Sequence, residues 1–257
     1  MTLQLGRAIS DGIDRVLTPT GGILLAVFLS FQLLTQASVN TAIVSLFPDG
    51  PAGEMEAALG LTLPVSGTTA GALFVGTVVL SSAFFVVLSR ALTRPTAALS
   101  SFPSDLYTRR MGRSTLSMFV GGLVIGTAIM IGSVFLLLPG IFLAVSLLFF
   151  TFAIGVENRG ILGGIKRSWG LSRGNRLKLA AVVLIAGIIG FVGGLVGTVF
   201  DFANSATAGE LVVNTLNSIV FVLLYGVIAS AYLQLRDENP QNADKRGGSD
   251  SLDTIGG

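Results

Sequence analysis

Six apolar stretches run along the chain, and shorter segments that carry the charged residues separate them. A helix of about 20 apolar residues crosses the roughly 30 Å hydrocarbon core of a bilayer. Charged side chains enter these stretches only near their edges, at Arg90 and Lys178, where a long side chain reaches the interface. The pattern predicts an all-α polytopic transmembrane helical bundle, with a six-span domain over residues 21–235. The predicted spans are 21–46, 69–92, 115–138, 140–156, 177–200 and 211–235.

The third and fourth predicted spans meet at Pro139 and Gly140. Proline lacks the backbone donor that continues a helix and glycine permits a sharp turn, so we expect a tight hairpin at this point. The alternative is one long kinked span followed by an additional buried segment. The fourth span is short, and we expect its ends to lie deep or to thin the bilayer locally.

The two ends of the chain differ from the spans. Residues 1–20 predict an interfacial amphipathic helix that Thr18-Pro19 ends. A cleavable signal peptide is the alternative, but the first apolar stretch continues to Leu46, further than a signal peptide needs. Residues 236–257 are polar and lack aromatic residues, which predicts a disordered tail. The apolar face of the N-terminal helix consists of Leu5, Ile9, Ile13, Val16 and Leu17.

Composition agrees with a membrane protein, and charge predicts its orientation. Charged residues make up 12% of the chain and the mean hydropathy is +0.80, whereas a soluble domain carries about 25% charged residues. All 16 lysines and arginines fall within 7–15, 90–113, 159–178 and 236–246, which alternating spans bring to one side. Because these residues accumulate on the cytoplasmic side, we predict a multi-pass cell-membrane protein with both termini cytoplasmic.

The chain lacks the residues that several classes of chemistry require. The chain has no cysteine and no histidine, so it holds no disulfide, no Cys/His zinc site and no histidine-dependent catalytic triad. No acid lies inside a span, as an intramembrane aspartyl hydrolase or an ion-coupled carrier would need. Gly160, Gly163 and Gly164 lack the Lys-Ser/Thr ending of a phosphate loop. We therefore expect no catalytic, cofactor or metal site and no nucleic-acid binding.

Polar side chains recur at helical spacing inside two spans. By the predicted topology, both groups lie in the outer half of the membrane, with Asp201 and Asn204 near their mouth. One hypothesis is interhelical hydrogen bonding, worth about 0.6–2 kcal/mol per contact. The other is a hydrated pocket. The groups are Gln32, Gln36 and Asn40 in span one, and Asn214, Asn217 and Ser218 in span six.

The basic segment after the fourth span predicts an interfacial helix. Ile161, Ile165 and Trp169 share one helical face and the cations lie elsewhere, so anionic lipid headgroups are a candidate partner. Simple retention of positive charge on the cytoplasmic side also explains the segment. The candidate headgroup contacts are Lys166, Arg167, Trp169 and Arg173.

Small residues at a spacing of four predict close helix packing, either within the bundle or at a dimer seam. A kinkable gate in span five is the alternative reading. The pairs are Gly122–Gly126 in span three, Gly190–Gly194 and Gly193–Gly197 in span five, and Gly67–Gly71 before span two.

One stretch carries a resemblance to a known family. The run Pro139-Gly140-Ile141-Phe142-Leu143 is followed by Glu157, Gly160, Lys166-Arg167-Ser168-Trp169 and Leu171-Ser172-Arg173-Gly174-Asn175. This pattern resembles uncharacterised six-span membrane proteins of bacteria and archaea, which are allied to the membrane domain of glycerophosphoryl diester phosphodiesterases. The resemblance implies an all-helical polytopic fold in the cell membrane. It does not imply phosphodiesterase activity, because the hydrolase of that fusion is a separate soluble domain.

Three functional hypotheses follow. The first is a non-catalytic membrane protein that organises lipid or a membrane partner through its basic cytoplasmic face. A second copy of the chain or another membrane protein is a candidate partner. The alternative is a pore or carrier for a neutral or weakly polar solute, built around the Gln/Asn groups. The least favoured is a lipid-directed enzyme that uses Glu157 or Asp105.

Overall fold

A computed structural model describes residues 3–47, 59–100, 102, 105–135, 137–203 and 205–237. Within these residues every regular element is helical, which confirms the predicted all-α polytopic bundle. The helices are α1 (Leu5–Val16), α2 (Pro19–Ser45), α3 (Gly67–Leu92), α4 (Asp105–Thr108), α5 (Met111–Phe135), α6 (Leu137–Ser146), α7 (Phe150–Gly155), α8 (Ile161–Ser172), α9 (Arg176–Phe202) and α10 (Ala206–Asp237), with a 3-10 turn at Thr96–Ser100.

Six segments of the described chain are long and apolar enough to cross a membrane. The predicted spans one, two, three, five and six correspond to α2, α3, α5, α9 and α10, and span four corresponds to α6 and α7 together. Their starts and ends lie within a few residues of the predicted ones. α10 continues to Asp237, so the first two residues of the predicted tail are helical. The rest of that tail, 238–257, lies outside the described residues.

Local chemistry explains where two of the spans begin. The side chain of Thr18 accepts a hydrogen bond from the Gly21 amide at 3.2 Å, and Pro19 follows as the first helical residue of α2. The Ser66 hydroxyl accepts from the Thr69 amide at 3.3 Å at the start of α3. Each side chain satisfies one of the amides that a helix leaves unpaired at its N-terminus.

Span four differs from the single helix that the sequence predicts. Residues 147–149 form a turn between α6 and α7, which leaves backbone groups unpaired in the middle of the span. The Ser168 hydroxyl of α8 accepts from the Phe149 amide at 3.1 Å and donates to the Ser146 carbonyl at 3.0 Å. Ser172 donates to the same carbonyl at 3.2 Å. Breaks of this kind persist at membrane depth because side chains satisfy the freed groups.

The hairpin between spans three and four is present, but its second helix begins before the predicted turn at Pro139 and Gly140. α6 begins at Leu137, so Pro139 and Gly140 lie inside its first turn, where a missing proline donor removes no helical hydrogen bond. The two helices approach closely where a Cβ on Gly132 would lie 3.2 Å from the Gly140 nitrogen.

α10 lies at the centre of the bundle and contacts α1, α2, α3, α8 and α9. An aromatic cluster fills the core between α2, α3, α7 and α10. The rings of Phe28 and Phe221 stack with centroids 4.2 Å apart, and Phe221 contacts Tyr225 at 4.8 Å. Further along α10, Phe152 stacks on Tyr232 at 5.2 Å.

α1 packs against the bundle. A Cβ on Gly12 would lie 2.5 Å from the Val227 nitrogen, so α1 and α10 meet backbone to backbone. At one end of α1 the Leu3 amide donates to Asn175 Oδ1 at 2.9 Å, and at the other end Arg15 donates to the carbonyl oxygens of Leu92 and Arg94. Of the predicted apolar face, Val16 is buried and Leu5 is half-buried. Ile9, Ile13 and Leu17 remain exposed.

Four of the glycines that predict close packing make no close contact with another helix of this bundle. A Cβ on Gly122, Gly126, Gly190 or Gly194 would meet no atom within 4 Å, and Gly71 likewise faces open space. Gly122 instead lines an apolar crevice of about 460 Å³ between α3, α5 and α6–α7. Gly193 and Gly197 face α10, and Gly67 contacts Ser45. A dimer seam at the open positions stays a prediction.

Candidate functional site

A cavity of about 390 Å³ opens at the end of the bundle where α2 ends and α10 begins. We refer to it as the polar cavity. It brings together four of the six polar residues that the sequence singles out, from two helices far apart in the chain. The lining residues are Gln36, Asn40, Leu59, Gly197, Ala206, Gly209, Glu210, Val213, Asn214 and Asn217.

Asn40 is a buried hydrogen-bonding centre beside this cavity. Its Nδ2 lies 2.7 Å from the Leu59 carbonyl oxygen, 3.0 Å from that of Leu61 and 2.9 Å from Glu210 Oε1. Its Oδ1 accepts from Gln36 Nε2 at 3.0 Å. Asn40 thus joins three parts of the chain, which are α2, α10 and the segment before α3. The interhelical hydrogen-bonding hypothesis predicts such a contact between α2 and α10.

Glu210 is the cavity residue that sequence reasoning missed. Its Oε2 accepts a hydrogen bond from the Leu61 amide at 2.6 Å. The chain passes close to this carboxylate at Gly60, whose φ of +81° suits glycine and where a Cβ would lie 2.8 Å from Glu210 Oε2. Glu210, Asn214 and Asn217 share one helical face at i, i+4 and i+7. This spacing is the sequence signal that could have identified Glu210 as part of the site.

Asn217 is the deepest amide on the α10 side of the polar cavity. Among the described residues its side chain has no hydrogen-bond partner, whereas Asn214 Nδ2 donates to the Glu210 carbonyl at 2.8 Å. Gly193 leaves room for Asn217, because a Cβ there would lie 3.2 Å from Asn217 Oδ1. With about 1.5 Å of rise per residue, Asn217 lies roughly 10 Å along the helix axis from Glu210.

The remaining predicted polar residues lie elsewhere. Ser218 is buried and donates to the Asn214 carbonyl at 2.7 Å, which is a contact within α10. Gln32 is half-buried and does not line the polar cavity. The predicted mouth residues, the Asp201 side chain and Asn204, lie outside the described part of the chain.

The opposite end of the bundle carries the arginines and lysines of the described part of the chain, and we call it the basic end. Glu157, just after α7, has a side chain that is 16% exposed and accepts from Arg167 at 2.8 Å, Arg159 at 2.5 Å and the Tyr232 hydroxyl at 2.8 Å. Burial raises the pKa of this carboxyl, but the three hydrogen bonds and the charge of Arg167 outweigh burial and hold the pKa below its usual value.

Arg90 makes contacts inside the protein that the sequence does not reveal. Its Nε donates to the Gly155 carbonyl at 2.8 Å, which pairs a free acceptor at the end of α7. Its Nη2 lies 3.3 Å from Asn158 Oδ1 and 3.3 Å from the Ser114 hydroxyl. Together with the Glu157 contacts, this network ties α3, α5, α7, α8 and α10 at the basic end.

The four predicted headgroup residues have two kinds of surroundings. Lys166, Trp169 and Arg173 are exposed, and we call these three the α8 cationic surface. Arg167 is mostly buried in its ion pair with Glu157. The Trp169 ring packs edge-on against Phe142 with centroids 5.5 Å apart, and the Arg176 guanidinium lies 4.6 Å from the Trp169 centroid.

Comparison with known proteins gives one match. The profile of a family described as Domain of unknown function (DUF7847) matches residues 3–235. No curated protein matches the chain, and no solved structure matches it. This match does not show a link to the membrane domain of glycerophosphoryl diester phosphodiesterases, so that part of the resemblance stays a prediction.

Proposed function

The chain belongs to the DUF7847 family, and we propose that this multi-pass membrane protein binds a small polar solute in the polar cavity as a carrier. The observation that supports the proposal most directly is Asn217, an amide deep in a span that lines the cavity and has no hydrogen-bond partner among the described residues. The Asn217 side chain is half-buried, and a polar group held away from water without a hydrogen-bond partner costs about 1–3 kcal/mol. Water or a solute in the cavity removes that cost.

The size and position of the cavity agree with solute binding. Ligand sites are concave and typically about 300–1,000 Å³ in volume, with a few polar groups that orient the ligand. The polar cavity, at about 390 Å³, falls in that range. The predicted orientation puts its mouth on the outer side of the membrane, where a solute enters from outside the cell.

A carrier fits the rest of the bundle better than an open pore. One turn beyond Asn217 along α10, Phe221 stacks on Phe28 of α2 and fills the core below the cavity. At the basic end, the contacts of Glu157 and Arg90 join the helices again. A solute bound at Asn217 therefore reaches the other side only after the bundle rearranges.

Cysteine labelling tests whether the cavity is open to water. The chain has no cysteine, so Asn217→Cys is the only thiol of its variant. We expect a membrane-impermeant maleimide, added to intact cells, to label it, because the cavity connects this position to the outer solution. The matched control is Ser218→Cys, one residue further on and fully buried, which we expect to stay unlabelled. Absence of labelling at both positions would contradict solute binding here.

A second candidate function rests on the α8 cationic surface. Its two cations and Trp169 lie exposed on α8 and at the residue that caps it, Arg173, an arrangement that suits anionic headgroups at a membrane interface. In this reading the protein organises lipid through its basic end, and the role does not exclude solute binding at the other end.

Lipid dependence of stability tests this second role. We expect anionic lipid in nanodiscs to stabilise the full chain relative to zwitterionic lipid, and Lys166→Gln with Arg173→Gln to remove about 2 kcal/mol of that gain. The matched control is Arg109→Gln with Arg113→Gln, which removes two exposed cations from another segment. Equal losses in the two double variants would show that net charge, and not the α8 cationic surface, is responsible.

A further inference from the structure

The charge of the polar cavity narrows the class of solute that suits it, an inference that rests on the function proposed above. Glu210 lines the cavity, and the described residues offer its carboxylate no ion-pair partner. The chain contains no lysine or arginine in residues 16–89 or 179–235. The described segments at this end of the bundle therefore supply no cation, and the cavity carries an uncompensated negative charge.

Hydrogen-bond acceptors with unused capacity line the polar cavity. Each carboxylate oxygen of Glu210 accepts one hydrogen bond from the protein and keeps further acceptor capacity. Among the described residues, the side-chain oxygens of Gln36 and Asn214 accept no hydrogen bond, because only their nitrogens are used. A ligand with several N–H donors and a positive charge complements these atoms, since charge-assisted hydrogen bonds are the stronger kind.

The apolar part of the lining discriminates between kinds of cation. None of the described residues that line the polar cavity is aromatic, so they offer no ring faces of the kind that recognise quaternary ammonium groups. Its apolar wall is small and aliphatic, from Leu59, Ala206 and Val213. The volume of about 390 Å³ also exceeds what a bare metal ion fills.

We propose that the polar cavity binds a small aliphatic primary-ammonium compound. The ammonium group donates to the Glu210 carboxylate, and the aliphatic chain lies along Val213 and Leu59. A second polar group of the solute points toward Asn217, deeper in the bundle. Glu210 is in this reading the residue that selects a cation over a neutral solute of the same shape.

Protection of a cavity cysteine against labelling tests the proposal. The probes are 1,4-diaminobutane, the neutral isostere 1,4-butanediol, and the quaternary analogue in which both nitrogens are trimethylated. We measure how each slows maleimide labelling of Asn217→Cys in the full chain in nanodiscs. We expect the diamine to protect at a concentration at least about tenfold lower than either of the others, the scale of one desolvated charge contact.

A charge-removing substitution identifies Glu210 as the cause. In the Asn217→Cys background we expect Glu210→Gln to weaken protection by the diamine at least about tenfold and to leave the butanediol result unchanged. The control is Asp237→Asn, which removes an acid from the far end of the same helix and should change neither. The diamine–diol comparison needs no substitution at Glu210. It therefore decides whether the cavity prefers a cation to a neutral solute even where Glu210→Gln fails to fold.

The other outcomes separate the two proposals. Equal protection by the diamine and the diol would overturn the cation inference and leave solute binding intact. Equal protection by the quaternary analogue would overturn the preference for a primary amine. Labelling without protection by any probe would overturn the ammonium assignment, whereas a cysteine at 217 that never reacts would contradict solute binding itself.

Discussion

Glu157 shows how a single residue in the segment between α7 and α8 holds several elements together. Its carboxylate accepts from Arg167 of α8 and from Tyr232 of α10, and Arg159 adds a third contact. The sequence does not reveal Tyr232 as a partner of Glu157, because 75 residues separate the two positions.

We predict that Glu157 makes the stability of the protein depend on acid pH. The folded pKa of Glu157 lies below its usual value, so its contribution is fully present above the unfolded pKa and is lost as pH falls through the folded pKa. Glu157→Gln should destabilise the protein at neutral pH by about 2 kcal/mol, and should flatten the dependence on pH below about 4. Thermal unfolding in detergent between pH 7 and pH 3 measures both effects.

A matched acid provides the control for this prediction. Asp237 pairs with Arg236 on an exposed part of α10, and such surface pairs contribute about 0–1 kcal/mol. We expect Asp237→Asn to leave the acid-dependent loss of stability nearly unchanged. An unaltered pH profile in Glu157→Gln would mean that other groups cause the acid sensitivity.

At the scale of elements, the break in span four depends on contacts with α8. α8, which the sequence predicts as an interfacial helix, reaches the turn between α6 and α7 with two serines of its buried face. These serines belong to the motif that resembles known membrane proteins. In this chain they satisfy backbone groups that the bilayer leaves without water.

We predict that Ser168→Ala destabilises the protein by about 2 kcal/mol, because it leaves the buried Phe149 amide without an acceptor. Ser172→Ala is the matched control. It removes a donor to the Ser146 carbonyl, which Ser168 also supplies, so we expect a loss of at most about 1 kcal/mol. Unfolding of the purified protein in detergent compares the two, and equal losses would argue against a special role for Ser168.

At the scale of the whole molecule, α10 joins the two candidate regions. Glu210, Asn214 and Asn217 lie near its start at the polar cavity, and Tyr232 lies near its end beside Glu157. The aromatic cluster around Phe221 separates these regions. A rearrangement that opens the cavity toward the basic end therefore has to move α10 against α2, which makes this helix pair the place where a carrier cycle is expected to act.

The sequence by itself determined the number, order and approximate limits of the spans. Bilayer thickness acts on each stretch of about 20 residues separately, so local hydropathy is enough. It also singled out Gln36, Asn40, Asn214 and Asn217, which line the polar cavity, because polar residues stand out within apolar spans.

The tertiary structure alone decided which helix faces meet. A bilayer is as apolar as a packed interior, so hydrophobic periodicity does not distinguish a buried face from a lipid-facing one. Gly122 and Gly190 therefore look like packing residues in the sequence and yet face open space, while Gly12 packs unpredicted against α10. For the same reason, the role of Glu210 in the cavity and the pairing of Ser168 with the broken span emerge only once the helices are assembled.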